Sequence, residues 1–243
     1  LKSSVVNAMI YPLIIILAVI GALALLMIYV VPQFVPIFAD LGAELPLPTR
    51  MVLAVSTLAQ QAWWVVVALA CLGVLWLRRQ LADPETRRGL HERLLGLGLA
   101  GQLALKMETA RLARTLGTLV RNGVPLLTAL SIGRNVMGNL VLADAVDRAA
   151  EDVKTGSGLA YALGSTKRFP RLALQMIAVG EESGELDGML MRVADTFDSE
   201  VKNTIDRLLA ALVPAVVIVL AVAVAFIMIA ILLPIMNMTS AIG

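Results

Sequence analysis

Cysteine and histidine, the side chains used most often in metal binding and nucleophilic catalysis, each occur once in the 243 residues, as Cys71 and His91. One cysteine can form neither an intramolecular disulfide nor a CxxC pair, and one histidine excludes metal motifs that need two. A Ser-His-Asp triad would have to use His91, which lies in a charged stretch with no nucleophile elbow nearby. We therefore expect no catalytic residue, no metal site and no cofactor.

Two glycine-containing segments bear on nucleotide chemistry. Gly96, Gly98 and Gly101 match GxGxxG, which lets a backbone approach a pyrophosphate when it follows a strand and opens a helix. The residues before Gly96 have a helical, basic pattern, so this context is missing. The segment from Gly164 to Lys167 lacks the GK[ST] order of a P-loop. We expect that this chain does not hydrolyse nucleotides.

The densest acidic cluster contains Glu181, Glu182, Glu185 and Asp187. Its spacing does not match the alternating ligands of an EF-hand loop. Two compatible interpretations remain. The acids favour the positive N-terminus of the helix that follows, or they form a docking surface for a basic partner.

Three arginines, Arg111, Arg114 and Arg121, lie on a helix predicted from Leu103 to Arg121. We expect them to be divided between solvated positions and ion pairs inside a helical bundle. This helix is the second candidate surface for a partner.

The composition indicates that a membrane protein carries these groups. Hydrophobic residues make up 59% of the chain and charged residues 16%, against roughly 25% charged in a soluble domain. All charged residues except four lie between 78 and 207; the exceptions are Lys2, Asp40, Glu44 and Arg50. A net charge of +2, no long basic run and 5% aromatic residues exclude a nucleic-acid partner.

Three long uncharged runs predict three transmembrane helices, at 8–31, 55–77 and 208–233. The first run is too long for a signal peptide and has no basic segment with a small-residue cleavage site. None of the three contains Asp, Glu, Lys, Arg or His. Ion relays and intramembrane proteases normally place such groups within the membrane, so transport and intramembrane catalysis are disfavoured.

The basic residues predict the orientation. Five arginines follow the second predicted span closely, whereas the loop 32–54 contains only Arg50. By the positive-inside rule the region 78–207 is cytoplasmic. The loop 32–54 and the tail 234–243 then lie on the opposite side of the membrane.

An internal repeat relates the first and third predicted spans. Each has one proline near its start and a second 20 residues later, directly after its end. An offset of 202 residues aligns the pairs, which are Pro12 with Pro32 and Pro214 with Pro234. Chance placement of proline in membrane helices is the alternative. Small residues such as Gly21 and Ala223 permit close approach of helices. The repeat suggests that a second copy of the central domain precedes residue 1.

The region 78–207 is predicted to be an all-helical bundle of about six helices, because apolar residues recur at helical spacing and strand-like alternation is nearly absent. Glycines such as Gly123 and Gly156 mark its breaks. A turn within Gly180–Gly188 is predicted to precede the last helix, whose apolar stripe starts at Leu186. No stop signal separates the last helix from the third span, so one helix is predicted to run through both.

Several separate motifs across the whole chain resemble the type II secretion system F family, whose members are the polytopic inner-membrane platform proteins of type II secretion and type IV pilus assembly. The motifs are IYP, VPQFVPIF, LGAELPLPTR, ARTLGTLVRNGVPLLTAL, GSGLAYAL, FPRLALQMIAVGEESGELDGML and VADTFDSEV. The family turn GEESG carries over as Gly180, Glu181, Glu182, Ser183 and Gly184. Members often have Glu before the proline that opens the last span, and Val213 at this position brings the chain nearer the secretion-type members.

The resemblance implies two homologous six-helix cytoplasmic domains and three spans at the base of a pilus-like fibre. The second domain, 78–207, looks complete, and residues 1–7 look like the end of the first. In the family the platform is not an enzyme. It contacts a hexameric cytoplasmic assembly ATPase and helps to pass pilin or pseudopilin subunits out of the membrane. Other inner-membrane platform components, further copies of the same chain and the lipid bilayer are the remaining expected partners.

Three functions from different classes are therefore considered. The first is an assembly platform for a pseudopilus or pilus, serving protein secretion. The second is a small transport component or intramembrane enzyme, which would need ionisable groups in the spans. The third is a membrane signalling adapter whose helical domain docks a soluble enzyme. Association with an assembly ATPase and pilin-like subunits distinguishes the first from the third.

Overall fold

The fold is described from a computed structural model. The structure describes residues 2–30, 33, 50–51, 54, 57, 61, 63–82 and 84–242. Within these residues the regular secondary structure is helical, without a strand. The predicted all-α class is therefore confirmed for the described part of the chain.

The helices are numbered in chain order, and a five-residue π-helical segment, Leu26–Val30, continues the first of them. They are α1 Lys2–Leu25, α2 Trp63–Ala82, α3 Pro84–Gly96, α4 Gly98–Arg121, α5 Leu126–Val136, α6 Leu140–Lys154, α7 Leu159–Ser165, α8 Arg171–Ser183 and α9 Leu186–Ile242.

The chain divides into two compact units. One comprises Leu1–Trp76 with Asp206–Gly243, and the other comprises Leu77–Ile205. The second unit contains α3 to α8 and the first part of α9. Its assignment to the cytoplasm, like the predicted domain limits, stays a prediction. Most of the predicted loop 32–54 lies outside the described residues.

The core of the Leu77–Ile205 unit is built from one apolar stripe of each amphipathic helix. Leu116, Leu130, Leu142, Leu163 and Phe197 come from five different helices, and each is at most 2% exposed. Full burial of one such side chain contributes about 1.5–3 kcal/mol. This core holds the beginning of α9 against the other helices of the unit.

The connection between α3 and α4 differs from the prediction. α4 begins at Gly98 instead of Leu103. A Cβ at Gly101 would lie 2.7 Å from the carbonyl oxygen of Leu94, so the two helices approach too closely for any side chain there. Gly101 was considered as part of a nucleotide motif, and the structure shows it in the first turn of a helix with a packing role instead.

The predicted start of the last helix at Leu186 is confirmed. α8 continues to Ser183, and two residues separate it from α9; the first of them, Gly184, ends α8 in the left-handed conformation with a φ of +74°. Gly180 does not break the helix. It is buried, and a Cβ there would lie 2.8 Å from the Cβ of Met189, so its small size lets α8 pack against α9.

α9 is one uninterrupted helix of 57 residues, as the absence of a stop signal predicts. Its described segment Leu186–Ala230 contains a stretch apolar and long enough to cross a membrane, and it is the one helix of the described residues that does. The apolar helix Pro12–Leu25 is shorter. The predicted count of three spans therefore stays a proposal.

The repeated prolines do not mark helix ends. Pro12 lies inside α1, and Pro214 and Pro234 lie inside α9, while Pro32 is outside the described residues. A proline removes one backbone hydrogen bond, and a long apolar helix tolerates this loss.

Candidate functional site

The first part of α9 is joined to α4 by a row of ion pairs that we call the charged seam. On α4 the seam residues are separated by about two helical turns each, which places them on one face. The pairs are Lys106–Glu200 at 2.7 Å, Arg114–Asp195 at 2.8 Å, Arg114–Asp198 at 2.7 Å and Arg121–Asp187 at 3.1 Å. Residue numbers rise along α4 while those of the partners fall along α9, so the two helices are antiparallel.

Arg114 is the central residue of the seam. Its Nη2 atom donates to Asp195 Oδ1 and to Asp198 Oδ2. The hydrogen bond to Asp198, followed by that to Asp195, raises the pKa of the Arg114 guanidinium above its ordinary value. The Asp198 side chain is 21% exposed and that of Asp195 is 69% exposed, so solvent screens the second pair more strongly.

The seam lies over a closely packed apolar contact. Leu116 of α4 and Leu190 and Val193 of α9 are completely buried. A Cβ at Gly117 would lie 3.1 Å from the Cγ atom of Met191, which shows how near the helices come. Because packing is less tolerant of displacement than exposed ion pairs, this contact fixes the spacing of the helices and the seam fixes their register.

Arg121 and Asp187 close one end of the seam. Arg121 Nε donates to Asp187 Oδ2, and this hydrogen bond is the main reason that the pKa of Asp187 is lowered. Asp187 also lies in the first turn of α9, where a negative charge is favourable. These two residues were predicted as contacts for a partner, and the structure places them against each other.

Glu181 has a structural role that its sequence position did not reveal. It lies near the end of α8, and its carboxylate accepts hydrogen bonds from the backbone N–H groups of Leu159 and Ala160, the latter at 2.9 Å. These N–H groups are at the start of α7, where no preceding helical carbonyl can accept them. Glu181 therefore caps α7 from another helix, and the predicted role at the start of the last helix does not apply to it.

Glu182 and Glu185 differ from their neighbours. Both side chains are exposed, and within the described residues neither takes part in an ion pair or a side-chain hydrogen bond. They are the members of the acidic cluster whose charges are left for another molecule. The structure thus separates the four predicted acids into two with internal partners and two without.

Arg111 belongs to a different contact on α4. Its Nη1 atom lies 2.9 Å from Oε1 of the nearly buried Glu108, whose Oε2 accepts the backbone N–H of Gly138 at 2.9 Å. The loop between α5 and α6 is thereby held on α4. The sequence analysis did not single out Glu108, because a glutamate on a polar helix face gives no local sign of such a distant partner.

His91 holds the same loop from α3. Its Nδ1 atom accepts the backbone N–H of Leu140 at 3.1 Å, and its carbonyl oxygen accepts from Asn139. Burial lowers the pKa of His91, the nearby charge of Arg87 lowers it further, and Glu108 opposes both. His91 is therefore a hydrogen-bond acceptor that stabilises the start of α6.

The residues predicted to pack within the membrane are placed apart from the seam. Pro12 is buried, Pro214 is exposed, and Ala223 is half-buried. A Cβ at Gly21 would meet no heavy atom within 4 Å. No partner for Gly21 thus lies in the part of the chain that the structure describes, and its predicted packing role stays a prediction.

The charged side chains of this region form structural contacts within the Leu77–Ile205 unit. Within the described ranges, no three His, Cys, Asp or Glu side chains lie together as metal ligands would. Arg114, Arg121 and Glu181 form ion pairs or hydrogen bonds that join α4, α8 and α9 to the rest of the Leu77–Ile205 unit.

Comparison with known proteins bears on the function. The model of the family described as type II secretion system (T2SS), protein F, matches residues 112–234. The type II secretion system protein F of Xanthomonas campestris is 50% identical over 244 residues, which cover 100% of this chain and 60% of the relative. The type IV pilus assembly protein PilC of Pseudomonas aeruginosa is 38% identical over 245 residues, covering 100% of this chain and 65% of the relative.

A further relative, the type II secretion system protein F of Vibrio cholerae, is 36% identical over 241 residues and is covered to 59% of its length. The chain thus spans less than two thirds of the length of these relatives.

Proposed function

Because the chain belongs to the type II secretion system protein F family, we propose that it acts in the inner-membrane assembly platform of a type II secretion system. In this role it couples a cytoplasmic assembly ATPase to the extrusion of pseudopilin subunits. The observation that carries the proposal is α9, a single helix whose first part belongs to a charged helical bundle and whose later part is apolar enough to cross a membrane.

We propose three membrane spans near 8–31, 55–77 and 208–233. The described parts of all three expose large apolar side chains, including Leu17 at 60%, Leu72 at 62% and Val222 at 64%. In water this exposure is unfavourable, whereas lipid chains cover such surfaces without cost. The region 78–207 is then cytoplasmic, and the segments 32–54 and 234–243 are periplasmic.

The proposed mechanism is mechanical, and the chain has no catalytic role. An ATPase that engages the cytoplasmic unit changes the position of α4 or of the acidic residues Glu182 and Glu185. The seam and the buried contact beneath it join α4 to α9, so this displacement reaches the apolar part of the same helix. Pseudopilin subunits beside that part are moved outward. Further copies of the chain and other inner-membrane platform components complete the machine.

Similarity to one relative favours secretion over pilus assembly, while the secretion protein of Vibrio cholerae, at 36% identity, is no more similar to this chain than the pilus protein is. The secretion protein from Xanthomonas campestris is 50% identical, whereas the pilus protein from Pseudomonas aeruginosa is 38% identical over nearly the same length. The pilus system is the second candidate, since both machines require a platform that passes related subunits.

A segment exchange tests the function. The part of the Xanthomonas campestris protein that aligns with this chain is replaced by the chain itself, and secretion is measured as the fraction of a substrate enzyme found outside the cell. Restored secretion supports the proposal. A chimera that reaches the inner membrane at the normal level but leaves the substrate in the periplasm contradicts it.

Two further exchanges sharpen the result. The same segment placed in the Pseudomonas aeruginosa pilus protein should restore pili less well than it restores secretion. Within the secretion chimera, Arg114→Met together with Leu190→Ala weakens the link between α4 and α9. This variant should retain ATPase binding and lose secretion, because the link transmits force without forming the docking surface.

A further inference from the structure

The connection between α3 and α4 exposes an unusual group of leucines, which we call the hairpin tip and define as residues Leu94–Ala100. Leu94, Leu97 and Leu99 are 37%, 57% and 67% exposed. Three exposed leucines within six residues form a continuous apolar surface. Other exposed apolar residues of this unit lie on the surfaces of longer helices, for example Leu127, Ile132 and Val136 of α5, which are 42%, 40% and 39% exposed and thus less exposed than Leu97 and Leu99.

Contacts inside the Leu77–Ile205 unit hold the tip in place. The backbone N–H of Leu97 donates to the carbonyl of Leu94 at 3.1 Å, and Leu95 packs against the hydrophobic core. Gly101 allows the start of α4 to fold back onto the end of α3. The leucines are therefore presented outward by a defined turn.

The charge that borders the tip is positive. Arg93 immediately precedes it and Arg87 lies two turns earlier on α3, and both are exposed without an ion pair among the described residues. The neighbouring Arg88 is neutralised by Asp144 and Glu92 by Arg168. The tip itself, Leu94–Ala100, contains no acidic residue.

We propose that the hairpin tip docks on an anionic lipid surface, with its leucines at the boundary of the acyl chains and the two unpaired arginines at the phosphate groups. Leucine next to arginine suits this boundary, because an arginine stem lies along apolar surface while its guanidinium reaches the headgroups. Protein interfaces are instead enriched in aromatic residues, and the tip has none.

The chain also brings lipid close. The proposal rests on the proposed membrane location. There α9 tethers the unit to the bilayer, so the tip meets lipid at a high effective concentration, as it would in an intramolecular contact. A docked tip gives the cytoplasmic unit a further support at the membrane besides the proposed spans 55–77 and 208–233.

The test uses the full chain in vesicles, with Cys71→Ser removing the one native cysteine. Leu97→Cys, Tyr161→Cys and Val219→Cys each carry an environment-sensitive fluorophore, and the vesicles contain a lipid with a nitroxide near the headgroup or deep in the chains. Tyr161, which is 73% exposed on α7, is the matched control for a surface position, and Val219 reports insertion of α9. Phosphatidylcholine alone is compared with a mixture containing phosphatidylglycerol.

In anionic vesicles, the fluorophore at position 97 should show a blue shift and should be quenched by the nitroxide near the headgroup. The fluorophore at position 161 should show neither effect. Arg93→Gln should lower the ratio of docked to undocked tip by roughly fivefold at low salt, which corresponds to the attraction of one basic residue to an anionic surface. Added salt should have a similar effect.

Three results overturn the proposal. Quenching at position 219 by the deep nitroxide without quenching at 97 shows an inserted chain whose tip is free, and it leaves the proposed function intact. A blue shift at 97 without lipid quenching shows that protein or a second copy covers the tip. Absence of quenching at both 97 and 219 removes the membrane location, and with it the proposed function.

Discussion

Arg121 of α4 and Asp187 of α9 form an ion pair across 66 positions of the chain, with Arg121 Nε 3.1 Å from Asp187 Oδ2. Each residue taken alone is a reasonable candidate for binding a partner of opposite charge. Because the two residues pair with each other, a partner could bind either of them only by displacing this ion pair. Among the described residues, the nearby side chains of Glu182 and Glu185 take part in no ion pair or side-chain hydrogen bond, so these two are the acids open to a partner.

Disrupting the seam at Arg114 should destabilise the protein modestly. In a double-mutant cycle with Arg114→Met and Asp198→Asn, we expect a coupling of about 0.5–1 kcal/mol, because the pair is partly exposed. High salt should reduce it. Thermal unfolding of the full chain in detergent measures the effect. Arg192→Met, on an exposed arginine of α9, is the control, and an equal loss there would show that the seam has no special role.

Removing the cap of α7 should lower the free energy of unfolding more than removing a neighbouring charge does. Glu181→Ala leaves the first N–H groups of α7 without their acceptor, and a loss of about 0.5–2 kcal/mol follows. Glu182→Ala removes the same charge from an exposed side chain without such bonds, so its effect should be small. Hydrogen exchange of the amides of Leu159 and Ala160 locates the change. Equal exchange in both variants would contradict the capping role.

Adding one methyl group at Gly180 should destabilise the contact between α8 and α9. Gly180→Ala would place its Cβ 2.8 Å from the Cβ of Met189, and the required movement costs about 1–3 kcal/mol. Gly188→Ala is the matched control, because this helical position has no heavy atom within 4 Å of the added Cβ. It should stabilise the chain by about 0.4–1 kcal/mol. A stabilising Gly180→Ala would contradict the packing argument.

Reversing the charges of the two exposed acids Glu182 and Glu185 should test the docking surface without disturbing the fold. Glu182→Lys with Glu185→Lys should weaken binding of a basic ATPase surface by about 1–3 kcal/mol and make the remaining binding less sensitive to salt. Thermal unfolding should change little, since neither side chain has an internal partner. Unchanged binding would move the search to the arginine-bearing face of α4.

The stability of the Leu77–Ile205 unit should depend on His91 near neutral pH. The pKa of His91 in the folded protein is lowered from 6.5, so the unfolded chain binds more protons in this range. The stabilising contribution is therefore present above about pH 6.5 and is lost as the pH falls through the lower folded-state pKa. His91→Asn keeps an acceptor for the N–H of Leu140 but cannot titrate. Melting temperatures measured across this range should show a flatter profile for the variant.

Much of the architecture follows from the sequence, because it depends on local or one-dimensional properties. Apolar periodicity and the positions of glycine and proline define the helices, so α6, which runs from Leu140 to Lys154, ends just before the predicted break at Gly156. The continuity of α9 follows in the same way, since nothing between Val201 and Val213 ends a helix. The family is evident because its motifs are spread over the whole chain.

The roles of the charged residues were decided only by the tertiary structure. Glu181 caps α7 because the folding of α8 brings it to backbone groups 22 and 21 positions earlier in the chain. Gly180, which as a residue type indicates a break, is instead a contact point between helices. Electrostatic and packing partners are set by distances in space. Residues of the same type, on faces that the sequence pattern predicts to be equally exposed, therefore acquire different functions when the fold brings different neighbours to them.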